Sequence, residues 1–191
     1  MILSRLYSLG AIMLLSFSPA VATELDDALG NLAQTELSSW INDDLLDAVR
    51  AQNAEHAGLS QDDIDTLDQT WRGEIGANNA PMINQILNRA ASSYLRDQKD
   101  AANGLITEVF LMDNRGLNAA QSDLTSDFWQ GDEAKFQQTY GMGAGSIHIS
   151  EVELDESTGT YQSQVSMAVT DPDSGELVGA ITFGVNVDML R

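Results

Sequence analysis

Asp123, Asp127, Asp132 and Glu133 bracket Trp129 within one short stretch of this sequence. Clustered carboxylates can ligate a hard cation or grip an ammonium group, and an aromatic face adds cation–π attraction to the second. The same acids could instead cap a helix, and Trp129 could be core. Residues 132–140 read as a short helix with acids in its first turn and Phe136 and Tyr140 on one face. His148 sits on a period-2 stretch where Ile147 and Ile149 point the other way. It could touch a ligand in a pH-sensitive manner or be an ordinary hydrogen-bonded strand histidine. Asp123, Asp127, Trp129, Tyr140 and His148 are therefore the candidate ligand-binding residues.

Catalytic patterns are missing. There is no G-x-S-x-G, and Gly143-Ala144-Gly145-Ser146 lacks a base at motif spacing. Gly141-x-Gly143-x-Gly145 has no lysine to complete a phosphate loop. Asp171-x-Asp173 departs from a calcium loop, because Gly175 and Thr182 stand where oxygen ligands are needed, so it reads as a turn. Carboxylate pairs could serve a hydrolase, but a chain with 29 acids supplies such pairs by chance. No catalytic residue, metal set or cofactor is expected.

The N-terminus states a compartment. Arg5, an apolar run over 6–17 and Pro19-Ala20-Val21-Ala22 form a signal peptide, residues 1–22, with cleavage before Thr23. An uncleaved anchor is the alternative, but the run falls short of the roughly 20 residues of a bilayer span. The expected location is periplasmic or secreted. Removing 22 of 191 residues leaves 169 and takes Arg5 with it, so 8 basic residues face 29 acidic ones, a formal charge of −21. Such a surface repels phosphate backbones and excludes nucleic acid as a partner. Cysteine is absent, which removes disulfides, thiol catalysis and zinc–thiolate sites.

Two regions must position the candidate residues: a helical one over 23–103 and a strand-rich one over 104–191. Apolar residues from Leu25 to Val49 recur at helical spacing, predicting one long helix that ends near His56-Ala57-Gly58. Its stripe exceeds what one small sheet must cover, so a homodimer or a receptor contact is expected there. Ser60-Gln61-Asp62-Asp63 is a capping box opening a second helix, and Pro81 opens a third that runs to about Ala102. After Gly104 the period falls to 2. Strands are expected over 105–113, 117–122, 147–154, 161–170 and 177–187, the last three joined by hairpin turns. Gln162, Gln164 and Ser166 share one face with the small residues of the last strand, the pattern of a solvated face or a pocket lining.

The order strand–strand–helix–strand–strand–strand behind a helical lead resembles the PAS-like extracytoplasmic sensor domains called Cache, or PDC, domains. The residues that carry the resemblance are Val109-Phe110-Leu111-Met112-Asp113-Asn114-Arg115-Gly116-Leu117, the loop over 121–133 and Gly179-Ala180-Ile181-Thr182-Phe183-Gly184-Val185. It spans about residues 30–188. The resemblance implies an α+β fold: a PAS-like antiparallel five-stranded sheet preceded by long N-terminal helices. It also implies a small-molecule ligand, held between sheet, helix and loops, and a sensor rather than an enzyme. With the acids above, that ligand is expected to be amino-bearing or cationic. No output domain is expected after the sheet, so a membrane receptor or histidine kinase is the expected partner. An envelope protein-interaction module without a small ligand is the alternative, and a carboxylate hydrolase a further one.

Overall fold

A helical lead precedes the first strand in sequence, and two of its three predicted helices break where a polar side chain captures backbone. The computed structural model describes residues 19–155 and 159–190. Most of the predicted signal peptide, residues 1–18, lies outside the described residues, as do residues 156–158 of one expected hairpin turn.

The long first helix is instead α1 (Pro19–Thr35), a 3₁₀ turn (Leu37–Trp40) and α2 (Asp43–His56). Extended Asn42 caps α2: its side chain accepts the Leu45 N–H at 3.0 Å, and Asp43 and Asp44 occupy the positive first turn. Helical periodicity survives the break because every piece faces the same sheet. Leu29, Ala33, Leu37, Trp40, Leu45 and Val49 are all buried in one core cluster, so the stripe expected to remain open for association is covered. Helix α3 (Gln61–Glu74) starts with the predicted capping box, Ser60 and Asp63 exchanging side-chain and backbone hydrogen bonds.

The third predicted helix breaks into α4 (Pro81–Leu87) and α5 (Ala90–Ala101). Ser92 Oγ donates to the Ile86 carbonyl at 2.7 Å and accepts the Gln121 N–H at 3.0 Å. Arg89 turns inward to the Gln52 side-chain oxygen and the Ala119 carbonyl, at 2.6 and 2.8 Å.

The strands are β1 (Ile106–Met112), β2 (Asn118–Gln121), β3 (Ile147–Ile149), β4 (Glu153–Asp155), β5 (Thr160–Thr170) and β6 (Leu177–Asn186), with the short helix α6 (Ala134–Gln137) between β2 and β3. All pairings are antiparallel, in the order β2-β1-β6-β5-β3, with β4 also on β5. The expected five strands are present, the third divided into β3 and β4. At the division Ser150 Oγ accepts the Gln164 N–H at 2.8 Å, so a side chain fills a ladder position. This is the PAS-like α+β arrangement expected from the sequence.

Period-2 alternation then sorts the sheet. Val165, Met167 and Val169 of β5 and Ile181, Phe183 and Val185 of β6 pack under α1, α2 and α5. On the opposite face only Phe110, Met112 and Ala180 form an apolar patch, covered by Phe136 and Tyr140. Beyond that patch the face carries Gln162, Gln164, Ser166, Thr182 and His148. Among the described residues no helix is long and apolar enough to cross a membrane.

Candidate functional site

Cross-strand register lays out the polar face row by row. His148 pairs with Ser166, which pairs with Thr182, which pairs with Phe110. In the next row Gln164 faces Gly184, which faces Glu108, and beyond it Gln162 lies between Glu153 and Asn186. The start of α6 stands over these rows. Between them lies a cleft of about 290 Å³ lined by Glu133, Ala134, Lys135, His148, Ser150, Glu151, Glu153, Gln162 and Gln164. That is close to the lower end of ligand pockets and suits a small molecule.

The floor is held by side-chain bonds across β6. Thr107 Oγ1 donates to Gln162 Oε1 at 2.6 Å, and Gln164 Nε2 donates to Glu108 Oε1 at 3.0 Å. Gly184 makes this possible: a Cβ there would fall on Thr107 Oγ1 and lie 2.7 Å from Glu108 Cγ. With its nitrogen committed, Gln164 has its carbonyl oxygen left as an acceptor.

Charge in the cleft is unequal. Glu133, Glu151 and Glu153 are carboxylates, and Lys135 is the one cationic residue among those lining it. Lys135 Nζ lies 3.0 Å from Glu133 Oε2, donates to Gln130 Oε1 at 3.3 Å and sits 5.2 Å above the Phe110 ring. Burial holds the His148 imidazole below its usual pKa, which favours its neutral form. Ser150 Oγ, next to it in the lining, is committed to backbone partners, the Glu151 carbonyl at 2.9 Å and the Gln164 N–H at 2.8 Å.

Of the five candidate residues, His148 alone lines the cleft. Tyr140 stacks on Phe136, ring centres 5.0 Å apart, and burial raises its phenol pKa further above the ordinary value. The other three serve a second region, the loop over 121–133. Asp123 receives Lys99 Nζ at 2.6 and 2.8 Å, tying the loop to α5. Asp127 pairs with Arg72 of α3 at 2.8 Å. Trp129 Nε1 donates to the Arg115 carbonyl at 2.9 Å, and its ring fills the space a Cβ on Gly131 would need. Asp68, buried on α3, accepts the Phe128 and Trp129 N–H groups at 2.8 and 3.0 Å and Arg72 Nε at 2.7 Å. Glu133 stood in the acidic group read from the sequence, and Gln162 and Gln164 on the face read as a pocket lining. Lys135, Glu151 and Glu153 were missed, and only their proximity in the fold reveals them.

A buried polar cluster lies elsewhere, at the β1–β2 turn. Asp113 accepts the Arg115 and Leu117 N–H groups at 2.8 and 3.0 Å and Gln52 Nε2 at 3.0 Å, and His56 Nδ1 lies 2.7 Å from it. The cluster fixes the turn that leads into β2. Among the described residues no group of three or more histidines or acids could hold a metal ion.

No protein-family model matches the sequence, and no curated protein matches it in a sequence search. Solved structures overlap it partially. The sensor domain of the V. cholerae histidine kinase DctB matches over 90% of this chain at 15% identity and a TM-score of 0.44. The ligand-binding domain of the Campylobacter jejuni chemoreceptor Tlp3 matches over 92%, at 16% identity and 0.41 in complex with 4-methylisoleucine, and at 15% and 0.42 in complex with L-valine. This chain spans 58% of the DctB domain and 66–67% of the Tlp3 domain.

Proposed function

We propose that this chain is an exported small-molecule-binding module that takes an amino-bearing ligand in the cleft between α6 and the polar sheet face and reports its occupancy to a membrane receptor or histidine kinase. One observation carries the reading: a cleft of about 290 Å³, on the face the helices leave uncovered, lined by three carboxylates and a single lysine. Binding without turnover is favoured because Ser150 Oγ is spent on backbone groups, and the lining offers no nucleophile paired with a base. Export is supported by Arg5, the apolar run and Ala20-Val21-Ala22. Homodimerisation would have to use a surface other than the α1–α2 stripe, which is packed inside.

A thermal-shift screen with amino acids, polyamines, carboxylates and divalent cations tests the reading. A ligand at 100 times its Kd adds about 2.7 kcal/mol of stability, an upward shift that is easily read. Stabilisation by amino-bearing compounds is the expected result. A flat screen, with recovery of a protein partner from the envelope, would instead make the chain an interaction module. Intact mass of the exported protein beginning at Thr23 checks the export step.

A further inference from the structure

We infer that the cleft selects small organic cations that carry no carboxylate, because its one lining cation, Lys135, is already paired and offers no anion anchor. The inference rests on the binding reading above and names its ligand class. A ligand carrying both an amino and a carboxylate group needs an anion anchor, and Lys135 is the one cation available among the lining residues. That lysine is already satisfied. Its side chain is 14% exposed, its ammonium is paired with Glu133 at 3.0 Å and bonded to Gln130 at 3.3 Å, and the Phe110 ring lies beneath it at 5.2 Å. Recruiting it would break an ion pair on a largely covered wall and leave Glu133 facing the incoming carboxylate.

An ammonium group meets the opposite situation. Among the described residues Glu151 and Glu153 pair with no cation, and Gln164 offers its remaining carbonyl oxygen. The wall also demonstrates the chemistry, since it already holds one ammonium, that of Lys135, between a carboxylate and an aromatic face. An incoming cation therefore completes a set of acceptors, whereas an incoming anion displaces one.

Isothermal titration of the whole chain with putrescine, 4-aminobutyrate and succinate tests this, because the three share a four-carbon chain and differ in the charge at its ends. Putrescine should bind with one site per chain, at least tenfold tighter than 4-aminobutyrate, and succinate should give no heat of binding. Glu153→Gln should weaken putrescine at least fivefold, while Glu55→Gln, exposed on α2, should leave it unchanged. Lys135→Met should leave putrescine bound. If 4-aminobutyrate binds as tightly as putrescine and Lys135→Met abolishes its binding, Lys135 is an anion anchor: the selectivity is overturned and the binding reading stands. Equal weakening by Glu153→Gln and Glu55→Gln would show diffuse attraction to an acidic surface and overturn the inference. Silence from all three compounds, with a flat thermal screen, would overturn both readings.

Discussion

The two faces of one sheet are built to opposite rules. Under α1, α2 and α5, Val165, Ile181, Phe183 and Val185 have no exposed surface, and Phe183 meets Trp40 edge-on at 5.5 Å. One residue along each strand, Gln162, Gln164, Thr182 and Gly184 face away from that core, and the open part of their face is spanned by hydrogen bonds rather than apolar packing. Register is fixed by the first face, because a one-residue slip would exchange the two sets. The second face is thereby free to carry polar groups whose positions are inherited from the core. Stability belongs to one side and the proposed binding to the other.

Substitutions should separate the two. Phe183→Ala removes a fully buried ring and should cost about 3–5 kcal/mol in urea unfolding. Asp68→Ala strips the Phe128 and Trp129 N–H groups of their acceptor and should cost about 1–3 kcal/mol, with faster proteolysis within 121–133. Gln162→Ala on the cleft face loses one side-chain hydrogen bond and should cost only about 0.5–1.5 kcal/mol. A Gln162→Ala loss equal to that of Phe183→Ala would end the division of labour between the faces.

The smallest effect is one of pH. Burial lowers the folded-state pKa of His148 below 6.5, so the unfolded chain binds its proton more readily. This group therefore adds stability as pH rises through the window between its lowered value and 6.5, and withdraws it as pH falls through the same window. Melting curves at pH 5 and pH 7 should show a smaller rise for His148→Gln than for the parent chain. An unchanged rise would mean that the imidazole is as well solvated folded as unfolded.

Much of the fold was legible in the sequence because periodicity reports burial. The change from period 3.6 to 2 after Gly104 located the sheet, and Ser60-Gln61-Asp62-Asp63 located the start of α3. The break before α2 had a signal that was passed over: Asn42 followed by Asp43 and Asp44 is an N-cap with an acidic first turn. The break at Asn88 and Arg89 had none, since it depends on Ser92 bonding across to Gln121, which lies in another element. The candidate site was harder to read for a similar reason. Asp123, Asp127 and Trp129 have the residue types of a ligand site, but Lys99, Arg72 and Arg115 satisfy them from within the chain. Residue type states what a side chain can bond, and only the fold states whether an internal partner has already arrived.

Backbone amide NMR during a putrescine titration tests the location of binding most directly. Shifts should concentrate at Glu133, Lys135, His148, Ser150 and Gln164, around the cleft, and leave Asp123, Asp127 and Trp129 unmoved. Shifts centred on Asp127 and Trp129 with His148 and Lys135 silent would place recognition in the loop over 121–133 and contradict the assignment of the polar sheet face as the binding surface.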